Sequence, residues 1–466
     1  MAHPTAGGGC RQRTKVAHDT PTNIPKEALA VSPKAKLSRS ARRPASRGKT
    51  SKEEHSADED SPDEISVAIE WKLLYPLLAR GAEDPRPTDS RPVVRAHAVH
   101  PEKEFEALRA QAYSCVAETI RDCGEHAVMA HMIPQGYFER DYWESSWIVK
   151  KANSAMPLDE ENALVDYIWV PVEICSPRVR FKAPETRSRL QRVLEALTSR
   201  HRLAANSSCE IHIHIGRMDG HTWSLWSLKR LGTLVWVAEP TLRRIRNPAS
   251  PNFHNIFTWG FPLRDKSRLA NAISSLSHLR TLKTHDPLLG IPDQQVADSF
   301  RNLHRTPGLA RELEAVSRIW KTTSHLELGQ LLSGPEEKYR RLGFNFSAFG
   351  QEDERARRNP RTVEFRFMEG SVCTGLILNW LTICCTIVEI ALSRHDNGFY
   401  SGIRLSLQHL AEIEHLEMTK WFHSVQLVQG AVFSSQFKDL MEEFGVPHTE
   451  YEAFAKKIEQ DWGHTG

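Results

Sequence analysis

The chain has no Cys-x-x-Cys pair, and its eight cysteines follow no spacing of a small domain held by disulfides or zinc. Cys175 and Cys209 fall in alternating runs and Cys384-Cys385 in an apolar one. The expectation is buried free thiols in a reducing compartment, cytoplasmic or nuclear. There is no G-x-x-x-x-G-K-[ST] loop, which excludes a P-loop cradle for nucleotide phosphates. There is no internal repeat, which excludes a solenoid. No basic n-region followed by an apolar h-region opens the sequence. Net charge is only +3 over 466 residues, so the overall charge carries no nucleic-acid signature and no such partner is expected. The one apolar run of membrane length, residues 374–393, has Asn379, Thr382, Thr386 and Glu389 at three- and four-residue steps. That polar stripe reads as a core helix of a large domain, and no membrane is expected.

Aromatic residues are scarce in residues 1–63, where Ser, Pro, Ala, Lys and Arg prevail. The segment is basic up to Lys52 and acidic from Glu53 to Glu64. Such a composition buries too little apolar surface to offset chain entropy, so a disordered tail is expected. The folded body is expected over 64–395, followed by a helical extension over 396–466. Helices are expected at 102–123 and 184–202, after an N-cap at Thr222, and over 309–339 with a break near Gly334-Pro335. Residues 246–295 read as long loops with short elements, candidates for lids. A short strand containing Asn345 is expected over 343–349. His97, His100, His126 and His131 read as ordinary surface or core histidines.

Four stretches alternate with a period of two, the pattern of a half-buried strand. In Glu210-Ile211-His212-Ile213-His214-Ile215-Gly216 the isoleucines share one face, and Glu210, His212 and His214 the other. Ile65, Val67, Ile69 and Trp71 stand opposite Ser66, Ala68 and Glu70; Val172 and Ile174 stand opposite Glu173; Val363, Phe365 and Phe367 stand opposite Glu364 and Arg366. If these strands share a sheet, their polar faces converge into one cup of carboxylates and imidazoles with one guanidinium. Oxygen-rich ligands with an imidazole suit Mg²⁺ or Mn²⁺ better than zinc, and a guanidinium pairs bidentately with a phosphoryl group. Glu210 shares the polar face and reads as an outer or solvated group. Lys229 lies on the apolar stripe of the helix after Thr222, where its stem can snorkel or its ammonium can reach an anion.

In order along the chain, these motifs resemble those of the amidoligases of the carboxylate–amine ligase superfamily, relatives of glutamine synthetase and glutamate–cysteine ligase. The family's G-x-E-x-E strand is matched by Ser66 to Glu70, its Trp-led segment ending in D-x-S loosely by Trp147 to Ser154, and E-L-V-S-P by Glu173 to Pro177. H-x-H-x-G is matched by His212 to Gly216 with a Lys-containing helix after it, the Asn strand by Gly343 to Phe346, and T-[IV]-E-F-R by Thr362 to Arg366 with Asn379-Trp380 in the helix that follows. The resemblance implies an α+β, glutamine-synthetase-like fold: a curved antiparallel sheet flanked by helices. It implies an ATP- and Mg²⁺- (or Mn²⁺-) dependent ligase that joins a small-molecule or peptide carboxylate to an amine through an acyl phosphate. It also implies Glu70, Glu173, His212 and Glu364 as metal ligands, His214, Lys229 and Asn345 as nucleotide contacts, and Arg366 at the transferring phosphoryl group. Two positions depart from the family: Ala68 stands where a second carboxylate is usual and Asn153 where Asp is frequent. Ala68 motivates an alternative, a degenerate ligase fold that binds without catalysis. A zinc hydrolase built on His212, His214, Asp219 and His221 is a further alternative.

Overall fold

The computed structural model of the chain describes residues 60–97, 103–250, 261–276, 291–301, 309–335, 341–350, 361–393, 397–419 and 426–463. The expected disordered tail (apart from residues 60–63), His100 and parts of the 246–295 loops lie outside them.

Strand-forming runs of Ile, Val and Trp build one eight-stranded sheet. The strands are β1 (Ile65–Leu78), β2 (Ala127–Met129), β3 (Trp147–Lys151), β4 (Tyr167–Cys175), β5 (Val179–Arg180), β6 (Glu210–Arg217), β7 (Phe344–Asn345) and β8 (Val363–Glu369). Their order is β2-β3-β4-β1-β6-β8-β7, with β5 pairing the start of β1. The architecture is α+β. The sheet expected to be antiparallel is mixed, because β2 runs parallel to β3 while the other pairs are antiparallel.

The helices are α1 (Phe105–Asp122), α2 (Asp159–Asn162), α3 (Thr186–Arg200), α4 (Leu225–Leu242), α5 (Leu263–Lys266), α6 (Arg268–Leu276), α7 (Gln294–Arg301), α8 (Ala310–Lys321), α9 (His325–Leu331), α10 (Thr374–Leu392), α11 (Asn397–Thr419), α12 (Gln426–Glu443) and α13 (His448–Gly463). Two expectations change here. The N-cap of α4 is Ser224, whose hydroxyl accepts from Ser227 N, rather than Thr222. The helical stretch after 309 has an additional break at 322–324, where Ser324 caps a new helix, α9, which ends at Leu331 just before the break expected near Gly334-Pro335.

One sheet face carries Ile65, Val67, Ile69 and Trp71 of β1, Ile211, Ile213 and Ile215 of β6, and Val363, Phe365 and Phe367 of β8, all buried in the main core. α10 packs against β1 and β6. It is long and apolar enough to cross a membrane, yet Ile377, Trp380, Ile383 and Ile387 are buried in the main core. Its polar stripe is used within the fold: Arg187 of α3 donates to Asn379 and Thr382, and Lys182 pairs with Glu389 at 3.1 Å. α11 packs against α4, and α13 against α10 and α12. On the other sheet face, Leu74, Leu78, Tyr167, Trp169 and Cys209 form a small second cluster. That cluster closes one end of the face and confines its polar part to residues 66–72 of β1.

His201, at the end of α3, is buried between Tyr75 Oη, 3.0 Å from Nδ1, and Thr119 Oγ1, 2.7 Å from Nε2. Burial, helped by the Arg200 charge, pushes the imidazole down to about 4. The unfolded chain therefore takes up this proton more readily than the folded one. The stability it confers is present above the ordinary value of 6.5 and is lost as pH falls towards about 4. At full protonation the loss is about 3 kcal/mol. Urea midpoints measured from pH 7 down to pH 4 (~3 units) should fall more steeply for the natural chain than for His201→Gln; parallel slopes would reject the assignment.

Candidate functional site

Cross-strand register decides which polar side chains meet, since residues opposite one another share a face. β1 lies between β4 and β6, and each pairing sets a row. Glu70 stands opposite Cys175 on β4 and His212 on β6. Lys72 stands opposite Glu173, which itself stands opposite Lys150 of β3. Ala68 stands opposite His214, His214 opposite Glu364, and Glu364 opposite Asn345 of β7. A register shift between Ile211 and Ile213 marks a bulge in the β6–β8 pair next to Arg366. Such bulges re-aim side chains. Gly216 is required for this approach: a Cβ there would lie 2.9 Å from Thr362 Cγ2 and 3.2 Å from the Arg361 carbonyl.

Above these rows opens a cavity of about 1070 Å³. Its floor includes Glu70, Lys72, Glu173, His214, Glu364 and Arg366. Ligand atoms of Glu70, His214 and Glu364 lie within 4.8 Å of one another, the one cluster among the described residues that could hold a metal ion. His214 Nε2 is 3.1 Å from Glu70 Oε2 and 3.7 Å from Glu364 Oε1. Asn345 donates to Glu364 Oε2 at 2.6 Å, and the Arg366 guanidinium pairs with Glu364 Oε1.

His212 lies deeper. It is fully buried and does not line the cavity. Its Nδ1 is 3.2 Å from Glu70 Oε1 and 3.1 Å from Glu364 Oε1, and its Nε2 is 3.0 Å from Glu210 Oε2. Burial and the charges of Arg366 and Lys72 push the imidazole down, but Glu70 and Glu210 outweigh them and raise it to about 9. Burial pushes the Glu70 carboxyl up, while His212 and Lys72 hold it well below the usual range. Glu364 behaves likewise, with Arg366 and His214 overriding burial. Glu173 moves the other way: burial and the Glu70 charge raise it against the pull of Lys150 and Lys72.

The residues expected from sequence therefore divide. Glu70 and Glu364 meet as proposed ligands, but the imidazole that joins them at the cavity is that of His214, because His212 has both ring nitrogens against carboxylates below the surface. Glu173 lines the cavity away from that trio, paired with Lys150 at 3.1 Å. Asn345 and Arg366 are at the floor. Lys229 is not brought to the cavity; it extends along α4 and donates to the Trp320 carbonyl at 2.9 Å. Asn153 and His131 line the cavity. Asp219 is occupied by Arg217 and caps the His221 backbone, with His221 exposed, so neither joins the histidines of β6. This arrangement takes Asp219 and His221 out of the zinc-hydrolase alternative.

Lys72 and Lys150 were missed, and Glu210 was underrated. Lys72 continues the period-two series of Ser66, Ala68 and Glu70, and lies 3.5 Å from Glu70 and 3.4 Å from Glu210. Glu210, read as outer or solvated, is fully buried, since it answers Lys72, His212 and Arg366 together. Removing one partner of a buried ion pair costs about 3–5 kcal/mol, because the other charge is left without compensation. Glu210→Gln should therefore lower unfolding free energy by about 3 kcal/mol in urea titrations; a change under ~0.5 kcal/mol would show that the network is not load-sharing.

No curated protein and no solved structure matches the chain. Residues 100–271 match the family model described as "putative amidoligase enzyme". The matched span holds β2 to β6 and therefore both histidines of the site, while β1 and β8, which bring Glu70, Glu364 and Arg366, lie outside it. The match covers less than half of the chain; it is a similarity to a "putative amidoligase" family and suggests a ligase-like function.

Proposed function

We propose that the chain is an ATP- and divalent-cation-dependent carboxylate–amine ligase working in the cavity over β1, β6 and β8. The observation that carries this reading is the convergence of Glu70, His214 and Glu364 within 4.8 Å at the cavity floor, with the Arg366 guanidinium against Glu364. Two carboxylates and one imidazole are a fitting donor set for Mg²⁺ or Mn²⁺. A cation held there would neutralise triphosphate charge and draw the phosphoryl oxygens to the site.

The residues of the chain supply the rest. Arg366 is fixed by Glu364 and lies beside His212, so its guanidinium needs little reordering to meet charge building on a transferring phosphoryl group. In the reaction we assign, a substrate carboxylate oxygen bonds to the γ-phosphorus and ADP leaves. An amine then bonds to the acyl carbon and phosphate leaves. The amine must shed a proton, and Glu173, whose carboxyl is raised by burial and by Glu70, is our candidate to accept it.

A second reading, a nucleotide-binding protein without turnover, is favoured by one observation: the position opposite His214 is Ala68, which offers no ligand atom. Ala68→Glu would then raise Mn²⁺ affinity measured by calorimetry; an unchanged affinity would argue against this account of the site.

The main reading is tested by thermal unfolding with ATP and Mg²⁺ or Mn²⁺. Saturating nucleotide at ~100 Kd should add about 2.7 kcal/mol, and only when the cation is present. Glu364→Gln and His214→Ala should abolish that gain, and Lys229→Ala should keep it. Absence of nucleotide stabilisation with either cation sinks the proposal.

A further inference from the structure

The cavity has a second wall that the chemistry above does not use. It is made by α1 and by residues 130–146, which link β2 to β3. α1 presents Glu106, Arg109, Ala110 and Tyr113 to the cavity, a helical face of three- and four-residue steps. The linking segment presents His131, Glu139, Arg140, Trp143 and Glu144, and the two acids are answered by cations of the same cavity, Glu139 by Lys150 at 3.0 Å and Glu144 by Arg178. The Arg109 guanidinium lies over the Phe105 ring at 4.6 Å, and that of Arg140 over Phe138 at 4.8 Å. Stacking on a ring fixes the guanidinium plane; Arg109 Nη1 already pairs with the exposed Glu106 and Arg140 Nε lies 3.7 Å from Asp141, so a substrate carboxylate would take the remaining donors of each fork. Arg109 Nε is buried with no hydrogen-bond partner.

Outside the cavity mouth the same segment is apolar. Met132, Tyr137 and Phe138 are 63, 60 and 47% exposed. Among the described residues the other exposed large apolar side chains are Met156 and Val165, both between β3 and β4, and Val372, just before α10. An arginine-bearing pocket continuous with an exposed aromatic rim fits a ligand with a carboxylate at one point and apolar side chains beside it. Glu139, Asp141 and Glu144 lie in the same segment, which disfavours an anionic lipid surface as the occupant.

We propose that the acid substrate of this site is a peptide segment. Its carboxylate enters past Arg109 and Arg140, and its neighbouring apolar residues lie on Met132, Tyr137 and Phe138. The reaction rests on the ligase reading above; the binding does not, and it can be measured without nucleotide.

The test uses the full chain and pools of short N-acetylated, C-amidated fluorescent peptides with a central glutamate and randomised flanks. A matched pool carries glutamine instead. Anisotropy should show the glutamate pool binding at least about tenfold more tightly than the glutamine pool, with selected peptides enriched in aromatic and aliphatic flanks. The triple variant Met132→Ser, Tyr137→Ser, Phe138→Ser should lose about tenfold in peptide affinity and keep its thermal stabilisation by ATP and Mg²⁺. Arg109→Gln should erase the preference for glutamate over glutamine while apolar flanks still matter.

Equal binding of the two pools overturns the proposal. So does free glutamate binding as tightly as the peptides with the triple variant unchanged. If sedimentation shows a dimer that the triple variant dissolves, or phosphatidylserine vesicles bind through these three residues, the rim belongs to another partner and the proposal falls. Loss of nucleotide stabilisation in the natural chain would instead remove the ligase reading and leave peptide capture to be judged on its own.

Discussion

Charge pairing under the cavity floor is the constraint on which the rest of the structure depends. Glu210 and His212 are fully buried, Arg366, Glu364 and Lys72 nearly so, and Glu70 is partly open to the cavity. None of these charges is tolerable alone at that depth. Each is answered along its own strand or across to the next: Glu210 by His212 beside it and Lys72 of β1, Glu70 by His212 and His214 of β6, Glu364 by Arg366 beside it and His212 of β6. The cross-strand pairs exist only in one register. A slip of one residue between β1 and β6 would turn Glu210, His212 and His214 toward the main core and the isoleucines toward the cavity. Gly216, seated against Thr362, and the bulge mark the two ends of the adjoining β6–β8 row.

Much of this was legible in the sequence because it follows from a period of two. The alternation in β1, β4, β6 and β8 showed which face of each strand is polar, and the rows in the structure use those faces. Depth was not legible. His212 and His214 are equivalent by alternation, yet one is sealed by Glu210 and the other opens to the cavity. The difference comes from what lies across the strand pairs, which alternation cannot express. Lys72 and Lys150 escaped notice because a lysine on a strand reads as solvent-facing, whereas here each is held between two carboxylates. Lys229 failed for the opposite reason. A lysine on an apolar helical stripe suggested an anion to be reached, and the structure satisfies it with a backbone carbonyl on α8.

The lysines also explain why the site is not one cluster of acids. Four carboxylates in a single cup would repel one another, and some would stay protonated. Lys72 pairs with Glu70 at 3.5 Å and Lys150 with Glu173 at 3.1 Å, and Glu173 stands outside the Glu70, His214 and Glu364 trio, so the floor holds two carboxylate environments. In one, carboxylates are held ionised by His212, Lys72 and Arg366. In the other, burial and the nearby negative charge of Glu70 keep a carboxyl raised. Two carboxylate environments are pushed in opposite directions on one sheet face, and in the ligase we propose they would divide cation binding from proton transfer. The separation follows from the register that pairs Lys72 with Glu173 rather than with Cys175. It makes the placement of a lysine, as much as that of any acid, the feature that decides what this floor can do.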